Sequence, residues 1–280
     1  MTTVTSTTRP ATTGSATGTT AGRLLALGRA ETTLLLRNRT ALFTALALPV
    51  FLVGGIRSLL KQQTPHATTT DLNSTLTIGV LGLVLLFVVY YNLTAAYVAR
   101  RGELVLKRLR TGEARDLEIL GGTAVPSVAL ALLQCAVLGG AGAALLDLPV
   151  PVNPLLMLAG LALCLVLLIA LAALSSAFTR TVESAGITTL PVLLISQFGS
   201  GLLFPLSGMP HGLAEVCRVL PATPAFQLLR IGWFGTDGTS PATGFAGSWA
   251  EAAPQLGLAT LWAGAAVWAA RRWFRWEPRR

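Results

Sequence analysis

The sequence predicts an all-α integral membrane protein: an amphipathic helix in the membrane interface, six transmembrane helices, and a pair of short helices re-entering the outer leaflet between spans five and six. Composition is the first reason. Apolar residues make up 52% of the 280 and charged residues only 12%, whereas soluble domains carry about 25% charge. The second reason is grouping. Uncharged, largely apolar blocks run over residues 41–56, 76–99, 124–146, 155–179, 184–209 and 256–270, and about 20 such residues in a helix cross a hydrocarbon core about 30 Å thick. The third is where the basic residues fall. Of the 21 lysines and arginines, 17 lie on one set of loops, and the opposite set keeps only Arg57, Lys61, Arg218 and Arg230. By the positive-inside rule both termini are cytoplasmic. A net charge of +9 is explained by topology and by anionic lipid headgroups, so no nucleic-acid partner is required.

Taken in order, residues 1–20 are nearly all Thr, Ala, Gly and Ser, a composition that cannot offset its own ordering entropy; they are expected to form a disordered cytoplasmic tail. Residues 21–39 place Leu24, Leu25, Leu27, Leu34, Leu35 and Leu36 on one arc of a helical wheel, with Arg23, Arg29 and Arg37 on the rest. That distribution suits a helix lying in the interface; a plain juxtamembrane basic segment is the alternative. The six-span domain occupies residues 40–275, with spans near 40–60, 76–99, 124–146, 155–179, 184–204 and 254–271, and residues 276–280 form a short cytoplasmic tail. Between the last two spans, Pro205, Pro210, Pro221 and Pro224 forbid one continuous helix. Residues 213–220 and 225–234 each read as a short amphipathic helix, and backbone at that depth must pack on protein or line a wet cavity.

The loop from Arg100 to Gly122 carries more information than any other. Arg100 to Arg110 continues the second span outward, Thr111-Gly112 breaks it, and Glu113 to Leu120 forms a second short helix that Gly121-Gly122 ends before the third span. Leu117 and Leu120 share one face, with Arg115, Asp116 and Glu118 elsewhere. A helix held between two rigid spans is a lever that a partner could grip; an ordinary basic loop is the alternative.

Several chemistries are absent. No G-x-x-x-x-G-K-[ST] phosphate loop occurs, so ATP hydrolysis by this chain is not expected. No span carries Asp, Glu, Lys or Arg near its middle, which disfavours proton- or sodium-driven transport. Gly199-Ser200-Gly201 only partly matches an intramembrane serine protease, and three small residues are more often a packing face. His66 and His211 are isolated, making no metal site, and Cys135, Cys164 and Cys217 show no disulfide framework. No catalytic residue is assigned. Asn92, Gln134 and Gln197 are polar at depth, so each either bonds to a neighbouring helix or lines a wet pathway.

Two passages resemble the permease subunits of the ABC type-2 transporter family. One is Leu106-Lys107-Arg108-Leu109-Arg110-Thr111 leading into Glu113 to Leu120. The other is Leu206-Ser207-Gly208-Met209-Pro210 followed by Leu220-Pro221-Ala222-Thr223-Pro224. The resemblance implies an elbow helix, six spans and the exterior hairpin. It implies two permeases, identical or different, above two separate ABC ATPase subunits that carry ATP and magnesium, with no cofactor in this chain. Glu113, Ala114, Arg115, Asp116, Leu117, Glu118 and Leu120 would then form the coupling helix. The expected activity is export across a bacterial cell membrane of a hydrophobic or amphipathic small molecule such as an antibiotic. A polysaccharide or lipid-linked glycan is the second cargo, disfavoured by an aromatic content of 7%. Gly102 and the turn after the fifth span differ from the family's usual pattern, which bears on cargo rather than on fold.

Overall fold

The computed structural model describes residues 55, 69–103, 116–146, 148–202, 209–238, 240–274 and 276. The expected tail, interfacial helix and first span fall outside these residues, Gly55 excepted. Among the described residues every regular element is helical. Helix α1 (Thr69–Val84) runs through a π-helical segment (Leu85–Tyr91) into α2 (Asn92–Gly102). Then come α3 (Asp116–Leu146), α4 (Pro154–Phe178), α5 (Ala185–Gly199), α6 (His211–Val219), α7 (Thr223–Phe234) and α8 (Phe245–Trp273).

Three stretches, Asn73–Gly102, Glu118–Ala144 and Pro154–Phe178, are long and apolar enough to cross a membrane. They alternate in direction, so Arg100 and Arg101 at the end of α2, the start of α3, the end of α4 and Arg271-Arg272 at the end of α8 share one basic end. Helix α5 is apolar but only 15 residues long. It stops at Gly199-Ser200-Gly201, where Gly201 takes φ 74°, the left-handed conformation that terminates helices at little cost to glycine. The expected fifth span, 184–204, is therefore shorter in its helical part.

Two other boundaries differ from expectation. Helix α3 starts at Asp116 and passes through Gly121 and Gly122 without interruption, so the described part of the expected Glu113–Leu120 helix is the opening of the third span itself. Two glycines cost a helix about 1 kcal/mol each, but Ile119, Leu120 and Ala124 are buried around them and this packing outweighs propensity. Helix α8 starts at Phe245, nine residues before the expected 254, and carries Pro254 inside it. A proline removes one ladder bond and bends a helix rather than ending it when its flanks are held; Ala252 and Ala259, on either side, are 0% and 2% exposed.

The expected pair of short helices matches α6 and α7 closely. All twelve residues of α7 are buried, packed against α4 and α8. Glycine makes the closest approach possible: a Cβ on Gly232 would lie 2.7 Å from Met157 Cα, and one on Gly160 would lie 2.7 Å from Leu228 Cβ. Asn153 closes this end of the bundle. Its Oδ1 accepts from Leu156 N–H at 3.1 Å and caps α4, while its Nδ2 donates to Ser248 Oγ at 2.9 Å and its N–H to the Gly232 carbonyl at 2.8 Å. One buried residue thus joins the beginnings of α4 and α8 through its side chain, and the end of α7 through its backbone N–H.

Candidate functional site

The basic end is organised by the last turns of α2. Leu86, Tyr90, Leu93 and Tyr97 recur at spacings of three and four and are all fully buried, and Arg101 continues the same stripe at 1% exposure. Tyr97 Oη donates to the Leu120 carbonyl at 2.8 Å, and Arg100 Nη1 donates to Thr123 Oγ1 at 3.3 Å, tying α2 to the start of α3. On the other side Arg101 Nη1 donates to the Ser176 carbonyl at 2.8 Å and Nη2 to the Thr179 carbonyl at 2.6 Å. Those carbonyls lie at the end of α4, where Ser176 also accepts from the Thr179 N–H at 3.2 Å and the helix dipole is negative. Tyr90 Oη shares a further hydrogen bond with Ser175 Oγ at 2.9 Å.

Beyond Thr179 the α4–α5 turn is closed by reciprocal bonds: Thr181 N–H to Ser184 Oγ at 3.1 Å and Ser184 N–H to Thr181 Oγ1 at 3.3 Å. Glu183 is exposed. Hydrogen bonds from its own backbone N–H, and then from the Thr181 hydroxyl, hold its carboxyl below the usual glutamate range.

Of the expected coupling residues, Glu113, Ala114 and Arg115 lie outside the described residues. Asp116 and Leu117 are helical, Glu118 is half-buried, and Leu120 is 7% exposed within the core. Leu120 therefore faces the bundle rather than a partner.

The three expected pathway residues are dispersed. Asn92 is exposed on α2, Gln134 is buried in α3, and Gln197 is 9% exposed in α5 with neither amide atom hydrogen-bonded. Gln227 in α7, not singled out from the sequence, also has a buried Oε1 without a partner. None of these lines the large cavity of the fold. That cavity, about 460 Å³, lies between α1, α3, α4 and α7, with Cys135, Gly139, Gly140, Met157 and Trp233 among its walls and no ionisable side chain other than the Cys135 thiol. Trp233 is fixed as one wall by its Nε1 donating to the Pro149 carbonyl at 3.0 Å; opposite it, Gly139 leaves room that a Cβ would narrow to 3.2 Å from the ring. The volume is that of a small-molecule site, and the lining selects for apolar surface.

Among the described residues Ser200 does not meet a histidine. Its Oγ lies 3.1 Å from Thr223 Oγ1, which donates to the Cys217 carbonyl at 2.7 Å, so Ser200 helps tie the end of α5 to the α6–α7 link.

Three membrane-length apolar helices and a buried helical hairpin among the described residues mark a membrane protein. The family model for ABC-2 type transporters matches residues 23–234, and the chain belongs to that family. It is a membrane transport component. No curated protein matches it.

Proposed function

We propose that this chain is the permease subunit of an ATP-binding-cassette exporter, moving a hydrophobic or amphipathic small molecule out of a bacterial cell on the energy of a separate ATPase. Family membership supports the permease role, and the apolar cavity of about 460 Å³ is the observation that favours an apolar cargo. A glycan would call for polar and aromatic groups along its path, and this cavity offers one aromatic ring, Trp233.

Two copies, or two related permeases, form the working unit. Asn92 supports this: it is exposed within a membrane-length helix, and a polar group in that position belongs against protein or water rather than lipid. The neighbouring outward residues Ala95, Ala96 and Ala99 are small and half-buried, as close helix packing in membranes prefers. Helices α5 and α8 complete the spans, with α6 and α7 as the exterior hairpin and the basic end facing the cytoplasm. The segment from Glu113 to Glu118 docks the ATPase through its polar residues, with Leu120 serving the fold. Reconstituted with its partner ATPase, the protein should move an uncharged lipophilic dye in an ATP-dependent manner; dye movement equal with and without ATP would refute the reading.

A further inference from the structure

We propose that Arg101 is the positioning residue that carries motion of the cytoplasmic loop to the α4–α5 turn, and so to α5. The inference rests on the reading that an ATPase docks on that loop.

The guanidinium is almost wholly buried, where an unsatisfied cation would be severely unfavourable. A methionine would fill the same space without that penalty, so simple packing does not call for arginine here. What arginine adds is a rigid two-pronged donor, and both prongs hold the end of α4: one the Ser176 carbonyl inside its last turn, the other the Thr179 carbonyl just beyond it. Thr179 is also where the turn to α5 begins.

Arg101 stands in the last turn of α2, one residue before that helix ends at Gly102, where the chain leads on toward the segment that docks the ATPase. Displacement of the loop therefore displaces the guanidinium directly. Tyr97 and Arg100 bind the same turns of α2 to α3. The end of α2 is thus fastened to α3 on one side and to α4 on the other, by different side chains, so the two connections can be cut separately. Helix α5 joins this basic end through the turn that Arg101 grips. Its outward face carries the exposed Ile187, Leu190 and Leu194, the surface that would meet lipid or a second permease as the helix shifts.

The test uses the full permease–ATPase complex in lipid nanodiscs and reads backbone hydrogen exchange with and without vanadate-trapped magnesium nucleotide. In the wild type, exchange should change with nucleotide both at residues 116–123 and at residues 179–184. In Arg101→Gln the change at 116–123 should persist, ATP hydrolysis should continue, and the change at 179–184 should shrink at least about fivefold, the lower range of allosteric couplings. Arg101→Lys, which can reach one carbonyl at a time, should give an intermediate result, and it decides by the same criterion if the glutamine variant does not fold. A wild-type-sized change at 179–184 in a folded variant would overturn the proposal, as would equal losses at both segments, which a merely structural role predicts. A wild-type complex with no nucleotide response at either segment would refute the docking reading itself.

Discussion

The Tyr97 hydroxyl donates to the Leu120 carbonyl at 2.8 Å, fastening the end of α2 to the opening of α3. Both residues are core residues, so mutations here act first on the fold. Tyr97→Phe should cost about 1 kcal/mol, the net worth of one hydrogen bond. Leu120→Asp should cost more than about 3 kcal/mol by burying a carboxylate. Thermal unfolding followed by size-exclusion chromatography in detergent ranks them. Glu113→Lys with Arg115→Glu should instead leave the unfolding temperature unchanged while the ATPase ceases to co-purify.

Asn153 holds α4, α7 and α8 together at the other end. Asn153→Ala removes a helix cap, worth about 1 kcal/mol, and leaves Ser248 without its side-chain donor, for a total of about 2 kcal/mol. The loss should appear as a lower unfolding temperature and faster proteolysis at residues 235–245. Asn153→Asp keeps the cap acceptor and should recover about half.

The cavity predicts a pattern of reactivity. Cys135 lines it and is partly exposed, whereas Cys164 and Cys217 are buried. N-ethylmaleimide should label Cys135 first, and a charged methanethiosulfonate should not reach it, as peptide mass spectrometry would register. Gly140 lines the cavity and a Cβ there has nothing within 4 Å, so Gly140→Phe should be accepted at its Cβ and place its ring in or across the space. It should suppress both Cys135 labelling and dye transport while the ATPase still co-purifies.

Glu183 sets a pH dependence in the α4–α5 turn. Its carboxyl is held low by hydrogen bonds to its charged form, so its contribution to the turn is complete above the unfolded value of about 4.3 and is lost as pH falls through the lower folded value. Carboxyl-carbon NMR on glutamate-labelled protein should find Glu183 titrating below the ordinary glutamate value, and Thr181→Ala should raise it.

What the sequence made legible follows from long-range apolar pattern. Uncharged blocks locate the membrane-length helices, and prolines locate the α6–α7 pair within a few residues. Local signals failed where packing overrode them. Gly121-Gly122 reads as a stop yet lies inside α3, and Pro254 reads as a start yet lies inside α8. Arg101 looked like one more topology charge beside Arg100. Its place on the Leu86, Tyr90, Leu93, Tyr97 stripe was a visible sign that it points inward, but its acceptors, 75 and 78 residues away, are set by tertiary structure. The cavity was not legible at all, because its walls come from four separate elements.

The central claim is that an ATPase grips the segment beginning at Glu113. Placing a photo-cross-linking benzoylphenylalanine at position 113 in the full chain, in its native membranes, tests it most directly. The account predicts a nucleotide-sensitive cross-link to a polypeptide carrying a G-x-x-x-x-G-K-[ST] phosphate loop. A cross-link to lipid or to the permease alone, unchanged by nucleotide, would contradict it.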